Sequence, residues 1–97
     1  MAANSDQKTM EAALEESAKR ILSNDGVTGV VCADDKGSLY CVKGSLNDKS
    51  GAILAHLANL ASQIESPIEP VISLQGSNSR LLARRYNGIV VGVHKAL

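Results

Sequence analysis

The clearest shortage in this 97-residue chain is aromatic area, because it contains no phenylalanine, no tryptophan and only the tyrosines Tyr40 and Tyr86. The core must therefore come from valine, isoleucine, leucine and alanine, and an aromatic-lined pocket for a small molecule is not expected. The length is enough for one domain, and a domain this small has a thin margin of stability.

Signals for membrane insertion and secretion are also missing. No apolar run approaches the roughly 20 residues needed to span a bilayer, and the N-terminus lacks the apolar core of a signal peptide. Residue 2 is Ala2 rather than the glycine that N-myristoylation requires, and no C-terminal cysteine is present for prenylation. We therefore expect a cytoplasmic protein that inserts into no membrane directly and reaches a membrane through its partners.

Motifs for catalysis and metal binding are absent as well. The chain has no glycine-rich phosphate loop, no nucleophile elbow and no His-Glu-x-x-His sequence. His56 and His94 have no spacing that completes a metal site with Cys32 and Cys41. We predict a non-enzymatic protein without catalytic residues, cofactor or metal, in which His56 makes a hydrogen bond at an interface and His94 forms a surface pair with Lys95.

The two cysteines fit a reducing compartment as free thiols, because they lack the Cys-x-x-Cys spacing of redox motifs. They flank a predicted hairpin turn, and one register of that hairpin places Cys32 opposite Cys41. This arrangement is compatible with a redox pair or with two buried structural thiols, and buried thiols are the more common case.

Charge is balanced overall, with ten basic and ten acidic residues, so no global field favours nucleic acid. Its distribution along the chain is uneven, because Glu69 is the last acidic residue and four basic residues follow it. These are Arg80, Arg84, Arg85 and Lys95. The three arginines suit either an acidic partner or a solvated hairpin face, and a solvated face is the more common arrangement.

Hydrophobic periodicity predicts seven elements in the order α-β-β-α-β-β-β. A disordered segment, residues 1–5, is expected to precede a single domain of residues 6–97. The predicted elements are helices at Asp6 to Leu22 and Ser50 to Ile64, and strands at Val27 to Ala33, Ser38 to Lys43, Val71 to Gln75, Arg80 to Tyr86 and Ile89 to His94. Ser66-Pro67 and Glu69-Pro70 are expected to end the second helix, and Asn87-Gly88 to form a hairpin turn. This order predicts an α+β domain with a five-stranded antiparallel sheet and a helix on each face.

The second predicted helix carries no formal charge between Lys49 and Glu65. One face is apolar and made mostly of large residues, namely Ile53, Leu54, Leu57, Leu60, Ala61 and Ile64. Its small residues form another face, namely Gly51, Ala55, Ala58 and Ser62. We predict that the large face packs on the chain's own sheet and that the small face, with Asn59, receives a partner. A solvated alanine-rich helix is the alternative.

The strand from Val71 to Gln75 begins after Pro70, which favours a position at the edge of the sheet. An exposed edge strand invites pairing with another chain. We therefore predict a dimer in which two sheets join edge to edge through Val71, Ser73 and Gln75 while two helices pack alongside each other.

The last predicted strand carries Ile89, Val91 and Val93 on one face and Val90 on the other, so both faces need cover. The first helix is too short to cover five strands, and no third helix is predicted after the last strand. We expect a second contact, separate from the dimer interface, on the sheet face that the first helix occupies.

From about Met10 onward the chain resembles the roadblock/longin-like family, which forms dimeric scaffolds around small GTPases. The resemblance rests on Gly29-Val30, Cys32, Gly37, Cys41, Gly44, Leu46, Asp48, Gly51, Pro70-Val71, Leu74, Asn87-Gly88-Ile89 and Val93-His94-Lys95. It is closer still to the family of hepatitis B virus X-interacting proteins, the fifth subunits of lysosomal Ragulator complexes, which also lack the third helix. Arg84 and Arg85 make the last hairpin more basic than the family pattern.

The resemblance implies a scaffold subunit that forms a heterodimer with another roadblock-like subunit. In such complexes a lipidated subunit wraps the dimers on late endosomes and lysosomes. The assembly anchors Rag GTPases and promotes amino-acid-dependent recruitment of the TOR kinase complex. The family name also implies binding to a viral protein. The alternatives are a dynein-light-chain-like roadblock homodimer that acts as a cargo adaptor, and a small sensor or enzyme that holds a ligand between helix and sheet.

Overall fold

The computed structural model describes residues 2–64 and 70–97, with side chains from Met10 onward. Its elements are α1 (Ala2–Leu22), β1 (Val27–Asp34), β2 (Leu39–Gly44), α2 (Asp48–Ile64), β3 (Ile72–Gln75), β4 (Ser79–Tyr86) and β5 (Ile89–Ala96). The predicted element order is confirmed. Helix α1 begins at Ala2 rather than near Asp6, and the bounds of the single domain stay a prediction. The predicted helix stop at Ser66-Pro67 and Glu69 lies outside the described residues.

The five strands form one antiparallel sheet in the order β2-β1-β5-β4-β3. The chain's last strand therefore lies in the middle of the sheet, and β2 and β3 are the two edges. Asn87 and Gly88 join β4 to β5 with φ angles of 52° and 76°. Positive φ at both positions is the geometry of the tight turn that matches the twist of a hairpin, which confirms the predicted turn.

The two helices lie on opposite faces of the sheet, as predicted. Among the described elements, α1 packs on β1 and β2 alone, whereas α2 contacts all five strands. The α1 side is centred on the buried residues Ala18, Val30, Cys32 and Cys41. The α2 side is centred on Val31, Leu54, Ala55, Ala58, Ala83 and Val90. Adjacent residues Val30 and Val31 point into different clusters because side chains alternate along a strand.

A reciprocal cap fixes the start of α2. The side-chain oxygen of Asn47 accepts a hydrogen bond from the backbone N–H of Lys49 at 2.9 Å. The backbone N–H of Asn47 in turn donates to the Ser50 hydroxyl at 3.0 Å. These bonds satisfy backbone donors that the first turn of a helix leaves unpaired.

Cys32 and Cys41 are direct partners across β1 and β2, which confirms the register in which they face each other. Both are buried free thiols. Burial and the neighbouring Cys41 thiol raise the pKa of Cys32 to about 12. The thiol of Cys32 is therefore held in its protonated form across the neutral range.

We expect both thiols to resist alkylation in the folded protein, because the thiolate is the reactive species and burial excludes the reagent. Iodoacetamide at pH 8, followed by intact-mass measurement, should leave native protein unmodified and should label both cysteines after unfolding in urea. Rapid labelling of the native chain would contradict the buried arrangement.

The pKa of Cys32 in the folded chain exceeds its ordinary value of 9.0. The stability that comes from keeping this thiol protonated in the core is therefore complete below pH 9 and is lost as the pH rises toward 12.

Candidate partner interface

The small-residue face of α2 packs against the chain's own sheet. Ala55 and Ala58 are only 2% and 4% exposed, and Gly51 is buried as well. A Cβ added at Gly51 would lie 2.6 Å from Leu39 Cδ2 and 3.1 Å from Ala33 Cβ. The prediction that Gly51, Ala55 and Ala58 receive a partner is therefore wrong, because these residues are small to let α2 approach its own sheet.

The sheet also carries small residues where it contacts α2. A Cβ added at Gly92 of β5 would lie 2.5 Å from Leu54 Cδ1 and 3.0 Å from Val31 Cγ1. Ala83 of β4 is buried in the same cluster. Leu54 is the one fully buried large side chain of α2 among the described residues, and it fills the space that Gly92 leaves open.

The remaining large side chains of α2 form a stripe toward solvent, which we call the α2 apolar stripe: Ile53, Leu57, Leu60 and Ile64. Ile53, Leu60 and Ile64 are 58%, 45% and 81% exposed, and Leu57 is half-buried. Their spacing places them on one side of the helix, and exposed His56 lies beside them. Large apolar residues exposed together on a stretch of helix without formal charge, from Ser50 to Ile64, mark a surface for contact with another protein.

Strand β3 supplies a second contact feature. Among the described residues it is hydrogen-bonded to β4 alone, so its outer edge presents unpaired backbone groups, as predicted. Leu74 is 47% exposed and lies opposite Leu81, which packs against the α2 core, so Leu74 shares a sheet face with α2. Val71, just before β3, is 62% exposed, and Ser73 and Gln75 are exposed on the other face. Their pairing with a partner strand stays a prediction.

Asn59 and Ser62 are half-buried and bonded within the chain. A guanidinium N–H of Arg85 on β4 donates to the Asn59 side-chain oxygen. The Ser62 hydroxyl donates to the Asn59 carbonyl at 2.9 Å. The bond from Arg85 connects the C-terminal half of α2 to β4, whereas the bond from Ser62 lies within the helix. The predicted role of Asn59 and Ser62 in a partner contact stays a prediction.

His94 is the residue whose surroundings differ most from the sequence prediction. Instead of forming a surface pair with Lys95, it is half-buried, with Nδ1 2.7 Å from Ser45 Oγ and Nε2 3.1 Å from Ser79 Oγ. Thr28 Oγ1 donates to the His94 carbonyl at 3.2 Å. The cluster joins β1, β4, β5 and the segment before α2. No sequence signal indicates it, because the three hydroxyl residues lie far apart in the chain.

Within residues 2–64 and 70–97, no three His, Cys, Asp or Glu side chains are arranged to hold a metal ion. Neither described helix combines the length and the apolar character needed to cross a membrane. The features that the described residues do present are the α2 apolar stripe and the edge of β3.

We expect the edge of β3 to show the largest gain in protection from amide exchange when a partner binds. Pairing with a partner strand should slow exchange in Ile72–Gln75 by about tenfold or more, because fluctuations at a free edge require little local opening. Hydrogen–deuterium exchange with mass spectrometry should compare the free chain with the purified complex. Strand β2, the other edge, serves as the internal control, and equal exchange of β3 in both samples would exclude the pairing.

The family model and the most similar curated proteins indicate the same family for this chain. Residues 10–95 match the family model described as Ragulator complex protein LAMTOR5. The chain is 36% identical over 89 residues to Ragulator complex protein LAMTOR5 of Xenopus tropicalis. It is 34% identical over 88 residues to the Ragulator complex protein LAMTOR5 homolog of Nematostella vectensis. Each alignment covers 89% of this chain and 97% of the relative.

Solved structures share the fold at low sequence identity. The Roadblock/LC7 domain from Streptomyces avermitilis superposes with a TM-score of 0.64 at 16% identity, covering 78% of this chain and 71% of that one. The gliding protein MglB from Thermus thermophilus superposes with a TM-score of 0.68 at 17% identity, covering 84% of this chain and 69% of that one. These structures confirm the predicted roadblock/longin-like fold.

Proposed function

This chain belongs to the family of the Ragulator complex protein LAMTOR5, and on that basis we propose that it is a non-enzymatic scaffold subunit that anchors Rag GTPases within a Ragulator-type complex. The assembled complex then promotes amino-acid-dependent recruitment and activation of the TOR kinase complex at the lysosome. The observation that carries the scaffold role is the α2 apolar stripe, because a large exposed apolar surface on a small domain serves contact with another chain.

The immediate partner in this proposal is another roadblock-like subunit. Two α2 helices lie alongside each other and cover the apolar stripe, while the β3 edges of the two sheets pair. One contact then removes both unfavourable features of the free chain, the exposed leucine and isoleucine side chains and the unpaired strand edge. Full burial of one such side chain contributes about 1.5–3 kcal/mol, so several of them support a stable heterodimer.

The wider assembly follows from family membership. A lipidated, extended subunit wraps the roadblock dimers and holds them at the lysosome or late endosome surface. Rag GTPases then contact the assembled complex rather than this chain alone.

Affinity purification of a tagged chain from its own cells, with mass spectrometry of the bound proteins, tests the proposal. We expect a roadblock-like subunit in equal amount, a lipidated subunit and Rag GTPases. Depletion of the chain should also weaken the rise in TOR substrate phosphorylation after amino acids are restored. Recovery of a stable homodimer with dynein subunits and without Rag GTPases would instead support the cargo-adaptor alternative.

A further inference from the structure

The turn between β4 and β5 joins two residues that can react with each other. Asn87 carries a side-chain amide, and the backbone nitrogen of the next residue can attack the carbon of that amide. Glycine hinders this attack least, because it has no Cβ. Six asparagines occur in the chain, and Asn87 is the one that a glycine follows.

The structure leaves both reacting groups open to solvent. Asn87 and Gly88 are exposed, and a Cβ added at Gly88 would meet no atom within 4 Å. Among the described residues, neither the Asn87 side chain nor the Gly88 N–H makes a hydrogen bond. The attack therefore breaks no existing contact of these groups, and water has access to the product.

The position of the turn also permits the motion that the reaction needs. The nitrogen reaches the side-chain carbon only after the peptide group between Asn87 and Gly88 rotates away from the turn conformation. The two residues lie beyond the pair Tyr86 and Ile89, which closes the hairpin, and Tyr86 is 66% exposed. Local opening of an exposed tip costs little free energy.

We propose that Asn87 is a site of spontaneous deamidation, and that the isoaspartyl form is the substrate of an S-adenosylmethionine-dependent isoaspartyl methyltransferase. The Gly88 nitrogen bonds to the Asn87 side-chain carbon, and the side-chain amide leaves as ammonia with the proton of that nitrogen. Water then opens the resulting succinimide ring. Opening at the side-chain carbonyl gives aspartate, and opening at the backbone carbonyl gives isoaspartate. The inference is independent of the proposed function.

The aspartyl product is compatible with the fold. Asp-Gly forms the same type of turn as Asn-Gly, because aspartate also tolerates positive φ. The new carboxylate follows Arg84 and Arg85 in a segment, residues 70–97, that contains no acidic residue. We therefore expect aspartate at this position to leave the hairpin intact.

The isoaspartyl product is not compatible with this turn, because it passes the backbone through the side-chain carbon and adds one methylene to the loop. Loop length fixes the register of a hairpin. The strands that the loop joins lie inside the sheet, and Val90, two residues after Gly88, is only 1% exposed. Isoaspartate should therefore destabilise the chain while its backbone carboxylate lies exposed at the tip.

That exposed carboxylate is the group that the methyltransferase modifies. The methyl group moves from the sulfonium of S-adenosylmethionine to a carboxylate oxygen, and S-adenosylhomocysteine leaves. The Gly88 nitrogen then attacks the ester, methanol leaves with the proton of that nitrogen, and the succinimide forms again. Hydrolysis of this ring returns part of the chain to the aspartyl form, which keeps the turn.

The test incubates the purified chain, alone and in its complex, for days at pH 8 in water enriched in heavy oxygen. Digestion with trypsin in ordinary water follows, so deamidation after that point remains unlabelled. Trypsin cleaves after Arg85 and Lys95, and the peptide between them contains Asn87 as its one asparagine. We expect Asn87 to deamidate about tenfold or more faster than exposed Asn24 and Asn78, which larger residues follow.

Recombinant isoaspartyl methyltransferase with labelled S-adenosylmethionine should then label this peptide in the aged chain and not in fresh chain. Asn87→Gly is the control, because glycine keeps positive φ without the side-chain amide, and it should abolish the label in this peptide. The isoaspartyl fraction, separated by chromatography, should melt about 5 °C or more below wild type. The Asn87→Asp variant should melt near the wild-type midpoint.

Two results would overturn the proposal. Deamidation of Asn87 no faster than that of Asn24 and Asn78 would exclude the site. Deamidation that yields only aspartate, with no methyl label in the peptide of residues 86–95, would exclude the methyltransferase substrate.

Discussion

Replacing Leu60 with glutamate should abolish the heterodimer while leaving the chain folded. Leu60 is 45% exposed in the free chain and lies in the α2 apolar stripe, so a carboxylate there remains solvated until a partner covers it. An unpaired charge in the covered interface costs several kcal/mol, and hot-spot positions near an interface centre have comparable effects. We therefore expect affinity for the roadblock-like partner to fall about 100-fold or more.

The control for this change is Gln63→Glu, which places the same carboxylate at an exposed position of α2 outside the stripe. Both variants should show the circular dichroism spectrum and melting midpoint of the wild-type chain. Calorimetric titration with the partner should then separate them. Full affinity in the Leu60→Glu variant would show that the stripe is not the interface.

Replacing Ala58 with glutamate should instead unfold the chain. Ala58 is 4% exposed and packs in the cluster formed with Leu54, Val31 and Ala83. A glutamate there buries an uncompensated charge and overpacks a contact built for small residues, which together cost about 5 kcal/mol or more. Small domains have total stabilities of about 5–15 kcal/mol, so this change removes most or all of the margin.

Ala52→Glu is the matched control, because Ala52 is an exposed alanine of the same helix. Soluble yield, thermal melting and urea titration should separate the two variants, with Ala52→Glu close to wild type. A cooperative melting transition near the wild-type midpoint in Ala58→Glu would contradict the packing. The experiment also tests the sequence-based hypothesis that the small face of α2 receives a partner. If Ala58 faced a partner, the isolated fold would remain intact in Ala58→Glu.

The order of the elements and the antiparallel sheet were predictable because they depend on local patterns. Asn87-Gly88 forms the turn that two residues tolerant of positive φ favour, and Pro70 precedes an edge strand. The apolar period of 3.6 residues marked α2 as a helix. Each of these signals lies within a few residues of the feature that it predicts.

The orientation of α2 was not predictable from its own residues. Either apolar face could pack inward, and the structure selects the small one because the sheet beneath it also carries small residues, including Ala33 and Gly92. Those residues come from strands that are far apart in the chain and adjacent only in the sheet. The hydroxyl cluster around His94 has the same origin, since its members meet only after the strands pair.

The central place of β5 affects how the chain folds during synthesis. Strand β1 cannot complete its pairing until the last strand exists, because Val27 lies opposite Lys95. At about 5–20 residues per second, the ribosome needs roughly 3 to 14 s to make the intervening chain. For that interval Val30 and Val31 have one neighbouring strand at most, so the core closes only after β5 has been translated.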